Sequence, residues 1–232
     1  MSGTVHKLDL DRRSNGQDGA YSEMLERARA LVPMLRERAA KTEEMRRLPP
    51  ETEKELHEAG LFRILQPKRV GGSELDYVAL VDFADVVALA DASVAWNLAN
   101  LASHHWMLGM FDARAQDLIW NENVDALIAS SFVFPAGRAT KVAGGYTLSG
   151  RWPFSSGVDS STWNMLAGIV SSEDDADGVE YRIFLLKQSD YKILDTWSST
   201  GLKGTGSNDV EAKDVFVPDY MTLAVKDVAG GA

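Results

Sequence analysis

Apolar positions recur every three or four residues along the first half of the chain and alternate along the second. Leu25, Ala28, Leu31, Val32 and Leu35 set the first period, and "RERAAKTEE" carries it on along a charged face. Pro33 lies inside this pattern and predicts a kink there, or a restart just before it. "LPPETEKELHEAG" predicts a second helix, with proline at its start and Gly60 as its stop. "LFRILQPKRVGGSELDY" reads as a mostly irregular crossing. "YVALVDFADVVALA", "DASVAWNLANLASHHWMLGMF" and "DARAQDLIWNE" predict three more helices. The middle one is apolar nearly all round, which places it inside a bundle.

After Asp125 the period is two. "ALIASSFVF", "RATKVAGGYTLSGRWPF", "TWNMLAGIV", "YRIFLLK", "YKILDTW" and "DVEAKDVFV" predict short strands between glycine, serine or acidic turns. "VAGGYTLSG" predicts a hairpin with Gly144-Gly145 as its two-residue turn, and "SSEDDADG" a solvated loop. The pattern implies a segregated α+β chain. Residues 1–20 form a disordered or extended N-terminus, 21–125 a helical bundle, and 126–232 a β-sandwich or barrel.

Composition narrows the classes. The 232 residues are 45% hydrophobic and 25% charged, as in soluble globular proteins. A formal net charge of −10 with no Lys/Arg-rich tract argues against nucleic acid and anionic membranes as partners. With Cys 0, disulfides, thiolate nucleophiles and Cys-ligated metals are excluded. No apolar run reaches the ~18 residues of a membrane span. The polar N-terminus has no signal-peptide core, so a cytoplasmic protein is expected.

Three stretches bear on chemistry. "GLKGTGSNDV", residues 201–210, has the glycines of a phosphate loop but precedes a strand instead of a helix. Gly201, Gly204 and Gly206 also match neither dinucleotide-binding nor P-loop spacing, so these glycines shape a turn or bulge entering the strand. "SGRWPFSSGVDSSTW" gathers Trp152, Phe154 and Trp163 around Ser155, Ser156 and Gly157. It reads either as a hydrophobic strand ending in a turn or as an aromatic slot with hydroxyls and a free backbone N–H, suited to a planar heterocycle. "SHHWM" puts His104 and His105 on the apolar helix, pointing about 100° apart. They lack an i,i+4 partner and a third ligand, so no metal site is expected. The serines have no histidine–aspartate arrangement and no G-x-S-x-G elbow, which argues against serine hydrolysis.

The order of domains, with "LPPETEKELHEAGLFRILQPKRVGGSELD", "GGYTLSGRWPFSSG" and "GLKGTGSNDVEAKDVFVP", resembles the acyl-CoA dehydrogenase superfamily. From about Leu48 to Pro218 the chain is similar to the oxygenase components of two-component flavin monooxygenases, of the p-hydroxyphenylacetate and steroid-ring hydroxylase type. The Trp96–His104–Trp106 spacing is among the most specific pieces. The resemblance implies a reduced flavin (FMNH2 or FADH2) supplied by a separate NAD(P)H–flavin reductase. It also implies O2, a small aromatic or phenolic substrate, hydroxylation through a C4a-hydroperoxide, and a homotetramer. By the same resemblance, Ser156 and its backbone N–H contact flavin N5, and Phe154 and Trp163 wall the isoalloxazine. Ser130, Ser131 and Phe132 pass the flavin, with Trp96 beside it and Ser155 next to the N5 contact. Thr205 and Ser207 are polar contacts, and His104 faces the substrate's phenolic hydroxyl.

There are departures. Ser160 and Ser198 stand where many relatives carry histidine, which bears on the substrate. Relatives continue into a C-terminal four-helix domain, whereas this sequence stops at "VKDVAGGA". The alternatives are an acyl-CoA dehydrogenase-like oxidoreductase, whose glutamate and Gly-Ser-Asp stretch are missing from "SSFVFPAGRAT", and a non-catalytic fragment.

Overall fold

The first helical period folds as one uninterrupted helix. In the computed structural model, which describes residues 15–171 and 179–228, α1 spans Asn15–Met45 with Pro33 inside it. The helix neither ends nor restarts at the proline. Pro33 and Arg29 both lie on the exposed face, where water can take the carbonyl that Pro33 leaves without a donor. α1 also begins within the segment predicted to be disordered or extended, since residues 15–20 are helical. Residues 1–14 and most of the "SSEDDADG" loop lie outside the described residues.

Four further helices follow the predicted periods: α2 (Pro50–Glu58), α3 (Ala79–Ala88), α4 (Ala92–Leu108) and α5 (Ala113–Glu122). Pro50 sits in the first turn of α2, and Gly60, at φ 76, lies just past its end. Asp91 caps α4 by accepting from the Ser93 and Val94 amides at 2.8 and 3.3 Å. The crossing between α2 and α3 carries two 3-10 turns, Leu61–Arg63 and Lys68–Val70.

The predicted sandwich or barrel resolves as one mixed sheet. Its strands are β1 (Ile128–Ser131), β2 (Gly137–Val142), β3 (Gly145–Ser155), β4 (Trp163–Ser171), β5 (Val179–Lys187), β6 (Lys192–Leu194), β7 (Asn208–Pro218) and β8 (Thr222–Ala224). They run in the order β6-β7-β3-β2-β4-β5-β8, with β1 laid parallel on the first half of β4. β8 and the short helix after it, α6 (Val225–Val228), have no counterpart in the predicted pattern.

The hairpin turn is shifted by one residue from the prediction. Val142 pairs with Gly145, which makes Ala143-Gly144 the loop, with Gly144 at φ 79. Gly145 is committed to the sheet because a Cβ there would stand 2.3 Å from the Val217 carbonyl oxygen. β3 and β7 slip register twice, between Leu148 and Gly150 and between Trp152 and Ser155. Such bulges bend a strand and re-aim its side chains, and the second one sits at the serine-rich end of β3.

Two apolar clusters fill the interior. One joins α1 to α4 and includes Leu127; the other joins the sheet to Leu108, Phe111, Ala115, Ile119 and Trp120. Between them lies the loop before β7, where Gly204 presses against both α1 and α4. A Cβ at Gly204 would stand 2.3 Å from Thr42 Cγ2 and 2.9 Å from Ser93 Cβ. Gly204→Ala is therefore expected to lower stability by about 1–3 kcal/mol through overpacking. A urea midpoint equal to that of the wild type, at unchanged slope, would show that the loop has room.

Candidate active site

The site is built where α4 meets the end of β3 and the loop before β7. Trp96 and Asn100 lie one helical turn apart and point the same way. The Trp96 indole Nε1 donates to Ser156 Oγ at 3.0 Å, and Asn100 Nδ2 donates to the Ser156 carbonyl at 3.2 Å. Ser156 Oγ is 2.7 Å from Ser207 Oγ, which is 2.7 Å from Thr205 Oγ1. Thr205 Oγ1 donates in turn to the Leu202 carbonyl at 2.9 Å. The result is a continuous row of buried hydroxyls headed by a half-exposed indole.

The glycine-rich loop positions this row by its backbone. Lys203–Thr205 forms a 3-10 turn between Leu202 and Gly206, both left-handed at φ 55. Asn97 Nδ2 donates to the Gly204 carbonyl at 3.0 Å, and Gly157 N–H to the Thr205 carbonyl at 2.9 Å. Arg46, at the end of α1, donates to the Trp197 carbonyl and to Asp195, both at 2.9 Å.

Phe154 is a bulky residue at φ 62, a region that side chains beyond glycine occupy at a cost of order 1–3 kcal/mol. Its ring is 63% exposed and stands edge-on to Trp197 at 6.2 Å. The left-handed turn changes the predicted slot in one respect. Ser156 N–H folds back to the Phe154 carbonyl at 3.0 Å, so neither it nor Gly157 N–H is left free. The Thr205 hydroxyl, expected as a polar contact, is engaged with Ser207 and the Leu202 carbonyl inside the row.

Ser155 lies below the row, fully buried, accepting from Asn164 Nδ2 at 2.9 Å. Strand alternation then turns the preceding residue, Trp163, to the opposite face. Trp163 is buried in a groove with Leu118, Glu122 and Leu185, under Lys187 Nζ at 5.7 Å. No other predicted site residue lines that groove. Ser130 and Ser131 are buried on β1, and Ser131 Oγ donates to the Pro153 carbonyl at 2.6 Å.

His104 lies one further turn along α4. Its Nδ1 is 2.6 Å from the Ile128 carbonyl oxygen, and Phe132 stands edge-on at 6.0 Å. A carbonyl only accepts, so Nδ1 carries the hydrogen and Nε2 the lone pair. Burial lowers the His104 pKa to about 4, against which the Ile128 bond acts. The imidazole is therefore neutral at pH 7. His105 turns away and stacks on Trp120 at 6.3 Å, its pKa lowered to about 3 by burial and then by nearby His104, His57 and Arg63.

Asn97, Asn164 and Trp197 were not among the predicted site residues. Each left a trace in the sequence: Asn97 breaks the apolar face of α4, Asn164 occupies an inward position in "TWNML", and Trp197 closes the β6 segment. Among the described residues no group of His, Asp and Glu is placed to hold a metal, and no helix is long and apolar enough to cross a membrane.

Comparison with known proteins bears on the family and the fold. The model for the acyl-CoA dehydrogenase N-terminal domain matches residues 21–115. The oxygenase subunit HsaA of a flavin-dependent monooxygenase from Rhodococcus jostii is 41% identical over 202 residues, covering 87% of this chain and 52% of the relative. The oxygenase component of p-hydroxyphenylacetate 3-hydroxylase from Acinetobacter baumannii is 37% identical over 212 residues, covering 90% and 49%. XiaF from Streptomyces, solved with FADH2 and glycerol, superposes with a TM-score of 0.84 at 28% identity, covering 91% and 53%. The chain thus spans about half the length of the curated relatives it matches.

The two buried histidines set a pH dependence. Both folded pKa values lie below the ordinary 6.5, so the unfolded chain takes up protons first as the pH falls. The contribution of the two neutral histidines is expected to be complete above about pH 6.5 and to be lost on acidification, by up to about 1.4 kcal/mol per pH unit for each. Urea midpoints between pH 7 and pH 5 are expected to fall, and His105→Gln to flatten the fall. An equal slope in that variant would show that His105 is not held neutral.

Proposed function

The chain belongs to the acyl-CoA dehydrogenase superfamily, and we propose that it is part of a flavin-dependent oxygenase subunit that hydroxylates a phenolic or other aromatic ring. The observation that carries this reading is the α4 stripe. Trp96 and Asn100 fix Ser156, and one turn on stands a neutral His104 with its lone pair on Nε2.

The donor set fits a flavin. A planar ring system with one polar edge needs aromatic faces and a hydroxyl in the plane of that edge. Half-exposed Trp96 and exposed Phe154 offer the faces, and Ser156 Oγ offers the hydroxyl. The flavin, when bound, supplies the chemistry that side chains lack, the reduction of O2 and transfer of one oxygen atom to the ring. A separate NAD(P)H–flavin reductase would supply the flavin in its reduced form, FMNH2 or FADH2, to a protein that works in the cytoplasm.

The protein's own residues then have distinct tasks. Ser156 Oγ holds the N5 edge of the flavin. Ser207 and Thr205 hold Ser156, and Asn97 and Gly204 hold the loop that carries them. Ser130 and Ser131, on the strand whose start receives His104, bound the same side of the site. His104 Nε2 accepts the phenolic proton as general base, and Nδ1 keeps its hydrogen on Ile128 throughout. A pKa near 4 makes His104 a weak base, and it therefore acts on a phenol already made acidic by the developing bond.

With a reductase, NADH and candidate phenols, His104→Ala is expected to lower hydroxylated product per NADH consumed by tenfold or more, the lost oxygen appearing as hydrogen peroxide. His105→Ala is expected to lower the melting temperature while leaving that ratio near the wild-type value. Equal loss of product in both variants, or loss only in His105→Ala, would remove His104 from the site.

A further inference from the structure

The hydroxyl row has a direction, which follows from counting its protons. Trp96 Nε1 bears a hydrogen and can only donate, so it gives to Ser156 Oγ. At the far end the Leu202 carbonyl has no hydrogen to give, so the 2.9 Å contact with Thr205 Oγ1 takes the threonine's one proton. Thr205 Oγ1 must then accept from Ser207, and Ser207 Oγ, its proton committed, must accept from Ser156. Ser156 has thus spent its hydroxyl proton on Ser207 and one lone pair on the indole. Its backbone N–H is committed to Phe154 and its carbonyl receives Asn100. What Ser156 Oγ retains is one lone pair.

We propose that this fixed polarity selects the oxidation state of the flavin. Reduced flavin carries a hydrogen on N5 and donates to the remaining lone pair. Oxidised flavin presents a bare N5, which sets lone pair against lone pair. The inference rests on the flavin reading above and adds Trp96, Ser207 and Thr205 as positioning residues that act through Ser156. Reversing the row would leave Thr205 Oγ1 and the Leu202 oxygen 2.9 Å apart with no hydrogen between them. That carbonyl is pinned by Trp197 Nε1 at 3.1 Å and Thr205 N–H at 3.2 Å, so it cannot retreat to relieve the contact. The donors and acceptors of the row are all nearly or wholly buried beyond Trp96 and Leu202, which keeps water from supplying the missing proton.

The test is anaerobic titration of the protein with oxidised and with reduced FMN and FAD, together with the midpoint potential of the bound flavin. The wild type is expected to bind the reduced form more tightly. Thr205→Val and Ser207→Ala each release the Ser156 proton for donation, so the ratio of oxidised to reduced Kd is expected to fall about tenfold, a drop of about 30 mV in potential. Thr205→Ser keeps the hydroxyl and is expected to restore the wild-type ratio. In a Ser156→Ala background Thr205→Val is expected to change nothing further. If Ser156→Ala alters flavin affinity while Thr205→Val and Ser207→Ala leave the ratio at the wild-type value, the polarity is overturned and the flavin site stands. If Ser156→Ala alters neither Kd, flavin does not meet Ser156, and both the site reading and the proposal fall.

Discussion

Three hydrogen-bond donors on one helix hold the site together. Within five residues α4 sends the indole of Trp96 and the carboxamides of Asn97 and Asn100 into the β region. They end on a hydroxyl and two backbone carbonyls, contributed by the end of β3 and the loop before β7. Each such bond contributes about 1 kcal/mol net, but losing one strands its buried partner at a further cost of 1–3 kcal/mol. The donors reach their targets only because the chain at Gly204 lies against the helix with no side chain between. The row of Ser156, Ser207 and Thr205 is held beside the helix by that approach.

The adjacent histidines show how position on this helix decides chemistry. Burial depresses both pKa values, yet about 100° of rotation separates their surroundings. His104 meets a carbonyl that assigns its tautomer, beside an exposed aromatic ring. His105 stacks on Trp120, whose Nε1 lies 3.4 Å from His105 Nδ1. Phe154 adds a different kind of evidence. A left-handed phenylalanine that keeps its ring in solvent buries nothing to offset its strain, and such positions concentrate where a ligand is held.

Much of this was legible in the sequence because it depends on period and on residue type. The helices of residues 50–122 follow from three- and four-residue spacing, and the Trp96, Asn100 and His104 stripe follows from helical phase alone. The family motifs pointed to Ser156, Thr205 and Ser207. What stayed hidden depends on backbone angles and on distant contacts. Phe154 at φ 62 turns the Ser156 amide inward, and nothing in "RWPFSSG" announces a left-handed phenylalanine. Trp163 was expected as a flavin wall by resemblance, and its groove with Leu118, Glu122 and Leu185 depends on contacts that the motif does not spell out. The hairpin slipped by one residue because two successive glycines leave the register to Val217, a strand away.

The two apolar clusters do not divide where the sequence changes period. Leu108 of α4, Ile119 and Trp120 of α5, and Phe111 between the two helices pack into the core of the sheet, and Leu127, beyond α5, packs into the core of the bundle. Arg46 and Gly204 add contacts that tie the end of α1 to the loop before β7. Opening either part would expose apolar surface and strand polar groups in the other, so partial unfolding gains little entropy for what it costs. Helices and sheet are therefore expected to melt as a single cooperative unit. The change of period near residue 125 divides the pattern but not the packing.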